Sequence, residues 1–234
     1  MKRISELQTT LSYFFDWNKC RLNCLVQILQ ALFAVRTVNL TQIAAAFKTT
    51  VKEESSYRRV CRFFTGFSFD LSSIFPLVSH LFPLGDKYTL ILDRTNWKWG
   101  KSPINILVLS VAYRGISIPI FWAVLDLEGA SCVGDRVAIL KRAIQKLGVE
   151  KIEVLLADRE FIGTEWFGFL ITNKIPFVIR IKQNSYLKTK EGGTILAGGL
   201  RKYLGRKKIL NFPLFYGGIH SMFPLNEEEA PRNR

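Results

Sequence analysis

The chain has 234 residues, 48% of them hydrophobic and 13% aromatic, which is enough apolar material to bury a core of one large or two modest domains. Lys and Arg number 33 against 19 Asp and Glu, a net charge of +14 with a pI near 9.8, so the protein carries a positive field that attracts polyanions, nucleic acid first and anionic membrane second. The four cysteines form no CxxC pair and the two histidines lie apart, which argues against a zinc site and against a disulfide-stapled secreted fold.

Residues 1 to 70 read as helical and as a DNA-binding domain. CLVQILQALFAV at 24–35 is apolar enough to be buried on most sides. Asn39 or Thr41 can cap LTQIAAAF, and EESSYRRVCRFF follows with Tyr57, Val60, Cys61 and Phe64 at helical spacing. That stripe leaves Arg58, Arg59 and Arg62 on or beside the outer face. A helix-turn-helix presenting these arginines to DNA is one reading, and a solvated face on a small bundle is the other.

The period then changes to that of strands. KYTLILD, INILVLSVAY and ISIPIFWAVLD are three β-rich runs, the last two joined at Arg114-Gly115, and they predict an antiparallel meander. The same Arg-Gly break keeps the longest apolar stretch short of a membrane span. A helix follows with Val133, Val137, Leu140, Ile144 and Leu147 inward and Arg136, Lys141, Arg142 and Lys146 elsewhere on its circumference. KIEVLLAD at 151–158 is a fourth strand, Thr164 a candidate cap for the helix TEWFGFLITNK, and IPFVIRIK at 175–182 a fifth strand. The order is βββαβαβ.

Such an order resembles the ribonuclease-H-like arrangement, an α/β fold on a mixed sheet in which the first and fourth strands are parallel neighbours. Asp93 would then end the first strand and Asp158 the fourth, about 4.8 Å apart across the ladder. Two carboxylates at one sheet edge can share a hard divalent cation, Mg²⁺ or Mn²⁺. Arg94 and Arg159 are the competing explanation for these acids, but adjacent strand residues point to opposite faces, which makes them poor local partners. Asp126, two strands from Asp93 and about 10 Å away, is too far to share the ion. Glu160 belongs to a loop or caps the next helix, with a ligand role as the alternative.

The motifs LDRTNWKWGK around Asp93, GASCVGDR before an apolar helix, LLADREFIGTEWF around Asp158 and the strand IPFVIRIK stand in one order. In that order and at that spacing the chain resembles the insertion-sequence-four family of bacterial DDE transposases, from the N-terminal helices to about residue 210. The resemblance implies a ribonuclease-H-like catalytic core over 85–182 and metal-dependent DNA cleavage and strand transfer by two in-line attacks at phosphorus. Of the three acids, Asp, Asp and Glu, that such enzymes use, the first two carry over to Asp93 and Asp158 as catalytic residues and metal ligands. It also implies double-stranded DNA partners (transposon ends and target), a possible homodimer on paired ends, and a cytoplasmic, nucleoid-associated location with no membrane role.

The third acid has no counterpart. No Tyr, Arg, Glu, Lys signature follows residue 182, Glu191 lies in a glycine-rich turn, and Glu227 to Glu229 lie in a polar tail. Residues 183–216 read as an incomplete β-rich insertion and 217–234 as a disordered or aberrant tail, so the expectation is a truncated copy. Between Arg180 and Lys208 nine Lys or Arg face one acid, a phosphate-tracking run or a solvated edge. Lys98, Lys101 and Lys182 are expected on DNA phosphates. Trp97 or Trp99 would stack on an unpaired base and Thr95 touch a phosphate, unless the indoles pack on the N-terminal helices. The competing functions are a DNA-binding remnant without chemistry and a metal-dependent nuclease of the same fold.

Overall fold

The computed structural model describes residues 2–65, 71–125, 131–188, 193–197, 214–216 and 219–221. The chain divides into two compact units, Met1–Pro83 and Leu84–Arg234.

The first unit is helical: α1 (Lys2–Phe14), α2 (Lys19–Val35), α3 (Leu40–Ala45), α4 (Glu53–Phe64) and α5 (Ile74–Leu81). Asn18 caps α2 by accepting from the Arg21 N–H at 2.9 Å, and Asn39 caps α3 by accepting from Thr41 N and Gln42 N. Cys24, Ile28 and Ala31 of α2 meet Ile43 and Ala44 of α3 and Val60 and Phe63 of α4 in one core cluster. Helix α2 is buried on most sides, as its apolar run predicts: residues 21–32 are all buried or half-buried, with Cys24, Ile28 and Ala31 in one cluster and Leu22 and Val26 in another, and exposure begins only at Phe33 near its end. One expectation changes here. The inward stripe of α4 is Ser56, Val60 and Phe63, with Tyr57 and Phe64 outside. The stripe sits one residue earlier at each end than the aromatic spacing suggests.

The second unit is built on a five-stranded sheet in the order β3-β2-β1-β4-β5, made from β1 (Tyr88–Trp99), β2 (Ser102–Tyr113), β3 (Ile116–Leu125), β4 (Ile152–Ala157) and β5 (Phe177–Ile179). Strands β1 to β3 are antiparallel, whereas β1–β4 and β4–β5 are parallel. Helix α6 (Val133–Leu147) crosses between β3 and β4, and α7 (Thr164–Thr172) between β4 and β5. The fold is the expected mixed α/β, ribonuclease-H-like βββαβαβ. A second sheet is made from β6 (Tyr186–Lys188), β7 (Thr194–Leu196), β8 (Leu214–Tyr216) and β9 (Ile219–Ser221), in the order β7-β6-β8-β9. Most of the run from 189 to 213, with Glu191, and the tail beyond 221 lie outside the described residues, as does Asp126.

Alternation along the strands sorts the sheet into two faces. Leu90 and Leu92 of β1, Leu107, Leu109 and Val111 of β2, and Leu155 and Ala157 of β4 share a buried face. Helix α6 packs on β2, β3 and α7. On the other face Ile91, Val108 and Leu156 are half-buried and Val178 is exposed.

Local departures from expectation have local causes. Strand β1 does not end at Asp93; it continues to Trp99 as a ribbon paired with β2, while β4 stops at Ala157. Helix α7 is capped by the Gly163 backbone position and not by a Thr164 side chain. Helix α6 opens on a capping box in which Cys132 Sγ accepts from Asp135 N–H and Asp135 Oδ2 accepts from Cys132 N–H. Its inward stripe is Arg136, Ile139, Leu140, Ala143 and Leu147, so Arg136 belongs to the core side.

Candidate active site

The β1–β4 ladder ends with Leu92 beside Ala157, and Asp93 and Asp158 are the residues that follow this last pair, Asp93 still in β1 and Asp158 at the start of the turn after β4. Both acids leave the covered face to their neighbours Leu92 and Ala157, and both are exposed. The site therefore sits where β1 loses its parallel partner and continues only as the β1–β2 ribbon.

Among the described residues each carboxylate has a polar neighbour. Asp93 Oδ1 accepts the backbone N–H of Arg94 at 2.8 Å. Asp158 Oδ1 lies 3.4 Å from Arg180 Nη1, with side chains 48% and 80% exposed respectively. Arg180 N–H donates to Ala157 O at 3.1 Å, which fixes this arginine next to Asp158. The counter-ion is thus on β5's extension rather than at Arg159.

The Arg94 guanidinium goes to the opposite face, as strand alternation requires. There it grips Glu160 side-on: Nη2 to Oε2 at 2.8 Å, and Nε to Oε1 and Oε2 at 3.1 and 3.2 Å. Nη1 donates to the buried Asn105 Oδ1 at 3.2 Å. The bond to Glu160 holds the Arg94 pKa above its ordinary value. Glu160 is therefore committed to an arginine and does not join the two aspartates. Among the described residues, no group of three His, Cys, Asp or Glu side chains converges as a metal site.

Arg136 is 5% exposed and completes this arrangement. Its Nε donates to Ser131 Oγ at 3.0 Å, and its Nη2 to Ser131 O at 2.7 Å and Glu160 O at 3.3 Å. The guanidinium lies 5.2 Å from the centroid of the fully buried Phe161 ring. Burial pulls its pKa below the usual arginine value, with the Glu160 charge acting against that shift. Neither contact was foreseeable from local spacing. The only available hint was alternation, which sends Arg94 to the face opposite Asp93.

The other singled-out residues fall in two places. On α4, Arg58 pairs with Glu54 at 2.6 Å in an exposed i,i+4 bridge, and Arg62 is exposed. Arg59 is half-buried, its Nη2 reaching Cys20 O and Asn23 Oδ1 of α2 at 3.5 Å. Arg59 and Arg62 line a hollow with Asn18, Arg21 and Phe63. In the second unit Lys98, Lys101 and Lys182 are exposed. Trp97, 63% exposed, stands at an even offset from Asp93 on the same strand, hence on its face.

A mixed sheet in the order 3-2-1-4-5, with acids where the first and fourth strands part, defines a ribonuclease-H-like protein. The chain belongs to the transposase DDE domain family, whose family model matches residues 84–214. No curated protein matches the sequence significantly. Among solved structures, the HTLV-2 integrase catalytic core domain in complex with magnesium (dimeric form) aligns over 40% of this chain and 61% of its own, at 16% identity and a TM-score of 0.31. A simian T-cell lymphotropic virus intasome in complex with PP2A regulatory subunit B56 gamma aligns over 59% of this chain and 46% of its own, at 11% identity and a TM-score of 0.33. The chain thus spans less than two thirds of either aligned chain.

Proposed function

We propose that this protein is a DNA transposase of the insertion-sequence-four type in which Asp93 and Asp158 hold a divalent cation. On this reading two of the three acids are Asp93 and Asp158, and the sequence offers no counterpart of the third. The observation that carries the reading is that the two aspartates each follow the last paired residues, Leu92 and Ala157, of parallel neighbouring strands. The donor set fits the ion: two exposed carboxylates that follow the last pair of neighbouring parallel strands are hard oxygen ligands for Mg²⁺ or Mn²⁺. The chemistry a bound ion supplies there is activation of water and of a phosphoryl oxygen.

The protein's own groups supply position. Lys98 and Lys101 flank the end of the β1–β2 ribbon and would neutralise backbone phosphates, and Trp97 offers an exposed indole on the Asp93 face. In the helical unit, Arg58 and Arg62 are the outward bases of α4. The DNA-binding domain of this reading is 1–70 and its catalytic core 85–182. Double-stranded element ends and target DNA are the partners, and synapsis of two ends by a homodimer follows from the same reading.

A second reading, a DNA-binding remnant without chemistry, draws support from the engagement of Glu160 by Arg94 and the lack of a three-acid cluster among the described residues. One assay separates the two. Purified protein with a supercoiled plasmid and Mn²⁺ should nick DNA, and Asp93→Asn and Asp158→Asn should each reduce nicking to background while binding in EDTA persists. Nicking unchanged in both variants would sink the metal reading. Binding without any nicking in the unaltered chain would favour the remnant.

A further inference from the structure

The residues just after β4 are held more firmly than a strand-to-helix loop requires. Asp158 O accepts the Phe161 N–H at 3.0 Å, closing a tight turn over 158–161. Phe161 is fully buried beneath the Arg136 guanidinium. The Glu160 carboxylate takes a three-contact grip from Arg94, and the Glu160 carbonyl accepts from Arg136. The next residue inward from Arg94 is Asp93, and Glu160 is two residues from Asp158. One ion pair thus ties the backbone of the first aspartate to the turn that carries the second.

We infer that Arg94, Glu160 and Arg136 are positioning residues that lock Asp158 in register with Asp93 from the reverse face of the sheet. This inference rests on the proposed role of the two aspartates. Beyond the last β1–β4 pair, Leu92 with Ala157, no ladder bond holds position 158 beside position 93. The network replaces the ladder there. Side-on arginine–carboxylate geometry fixes orientation as well as distance, which a lysine cannot reproduce. Glu160 has a second effect. By engaging the Arg94 guanidinium on the far face, it keeps that positive charge from folding back onto Asp93, where it would compete with a cation.

The role predicts a metal-affinity change without loss of fold. Mn²⁺ would be titrated into the full-length chain and the free ion followed by electron paramagnetic resonance, with far-ultraviolet circular dichroism as the check on folding. Glu160→Gln keeps the side-chain shape but removes the charge, and should weaken Mn²⁺ binding about tenfold. Arg94→Lys keeps the charge but not the fork, and should weaken it by a smaller factor of about three. Asp93→Asn and Asp158→Asn should abolish it. A folded Glu160→Gln protein with Mn²⁺ affinity within twofold of the unaltered chain overturns the positioning role while leaving the aspartate reading standing. Should Glu160→Gln fail to fold, Arg94→Lys decides on the same criterion. Mn²⁺ binding that survives in both aspartate variants overturns the aspartate reading, and the positioning role falls with it.

Discussion

Two arginines lie near the aspartates, and their surroundings give them different work. Arg94 is 14% exposed and bound to a carboxylate that is 30% exposed, a setting in which removing one partner strands a charge and is costly. Its pKa is raised above the ordinary arginine value, chiefly by the Glu160 bond. A raised cation gives stability that is present below the unfolded pKa and lost only as pH climbs through the folded one, so Arg94 contributes no pH dependence near neutrality. Arg180 is the opposite case. Its pair with Asp158 is 3.4 Å long and the arginine is 80% exposed, which makes the bond weak and the side chain easily displaced. On the proposed function it competes with a cation for Asp158. Arg180→Gln should therefore tighten Mn²⁺ binding, by about two- to threefold given the strength of such exposed pairs. The same resonance titration checks it, and weaker binding would show that Arg180 supports the site.

At the scale of elements, the β2–β3 hairpin depends on Arg114 and Gly115, whose φ angles are +48° and +81°. Two consecutive positive φ values are what a two-residue hairpin turn of primed type needs, and Gly115 is the position that lacks a Cβ to object. A Cβ there meets no neighbouring atom, so Gly115→Ala isolates the backbone cost, about 1 to 2 kcal/mol. Urea denaturation should show that loss as a lower midpoint with an unchanged slope. The Arg-Gly pair and the period-two runs made this hairpin legible in the sequence, and the strand order followed from the run of elements. The parallel pairing of β1 with β4, which ends one residue short of Asp93 and Asp158, was legible for the same reason. Other features escaped because burial is not decided by residue type alone. Ser56 is buried and Tyr57 exposed on α4, reversing the order that hydrophobicity gives. Arg136 sits inside because Ser131 and the Glu160 carbonyl satisfy its donors. Glu160 finds Arg94 across 66 residues of chain, a contact that no local spacing encodes.

For the whole molecule, the net charge of +14 is the property that acts at longest range, steering polyanions before any specific contact forms. The described bases that are proposed for DNA contact and exposed are Arg58, Arg62, Lys98, Lys101 and Lys182. Each phosphate neutralised releases about 0.9 counterion, so five contacts give a slope near −4.5 in log affinity against log salt. Affinity for a duplex of random sequence should then fall by roughly 500-fold between 50 and 200 mM salt. Fluorescence anisotropy of a labelled duplex over that range measures the slope directly. Arg62→Ala should flatten it by about 0.9. Arg58→Ala should do less, because Glu54 already engages that guanidinium at 2.6 Å and the pair must open before a phosphate can replace it. A slope near −1 in the unaltered chain would mean that few of these bases meet a phosphate, and would remove double-stranded DNA as the partner they select.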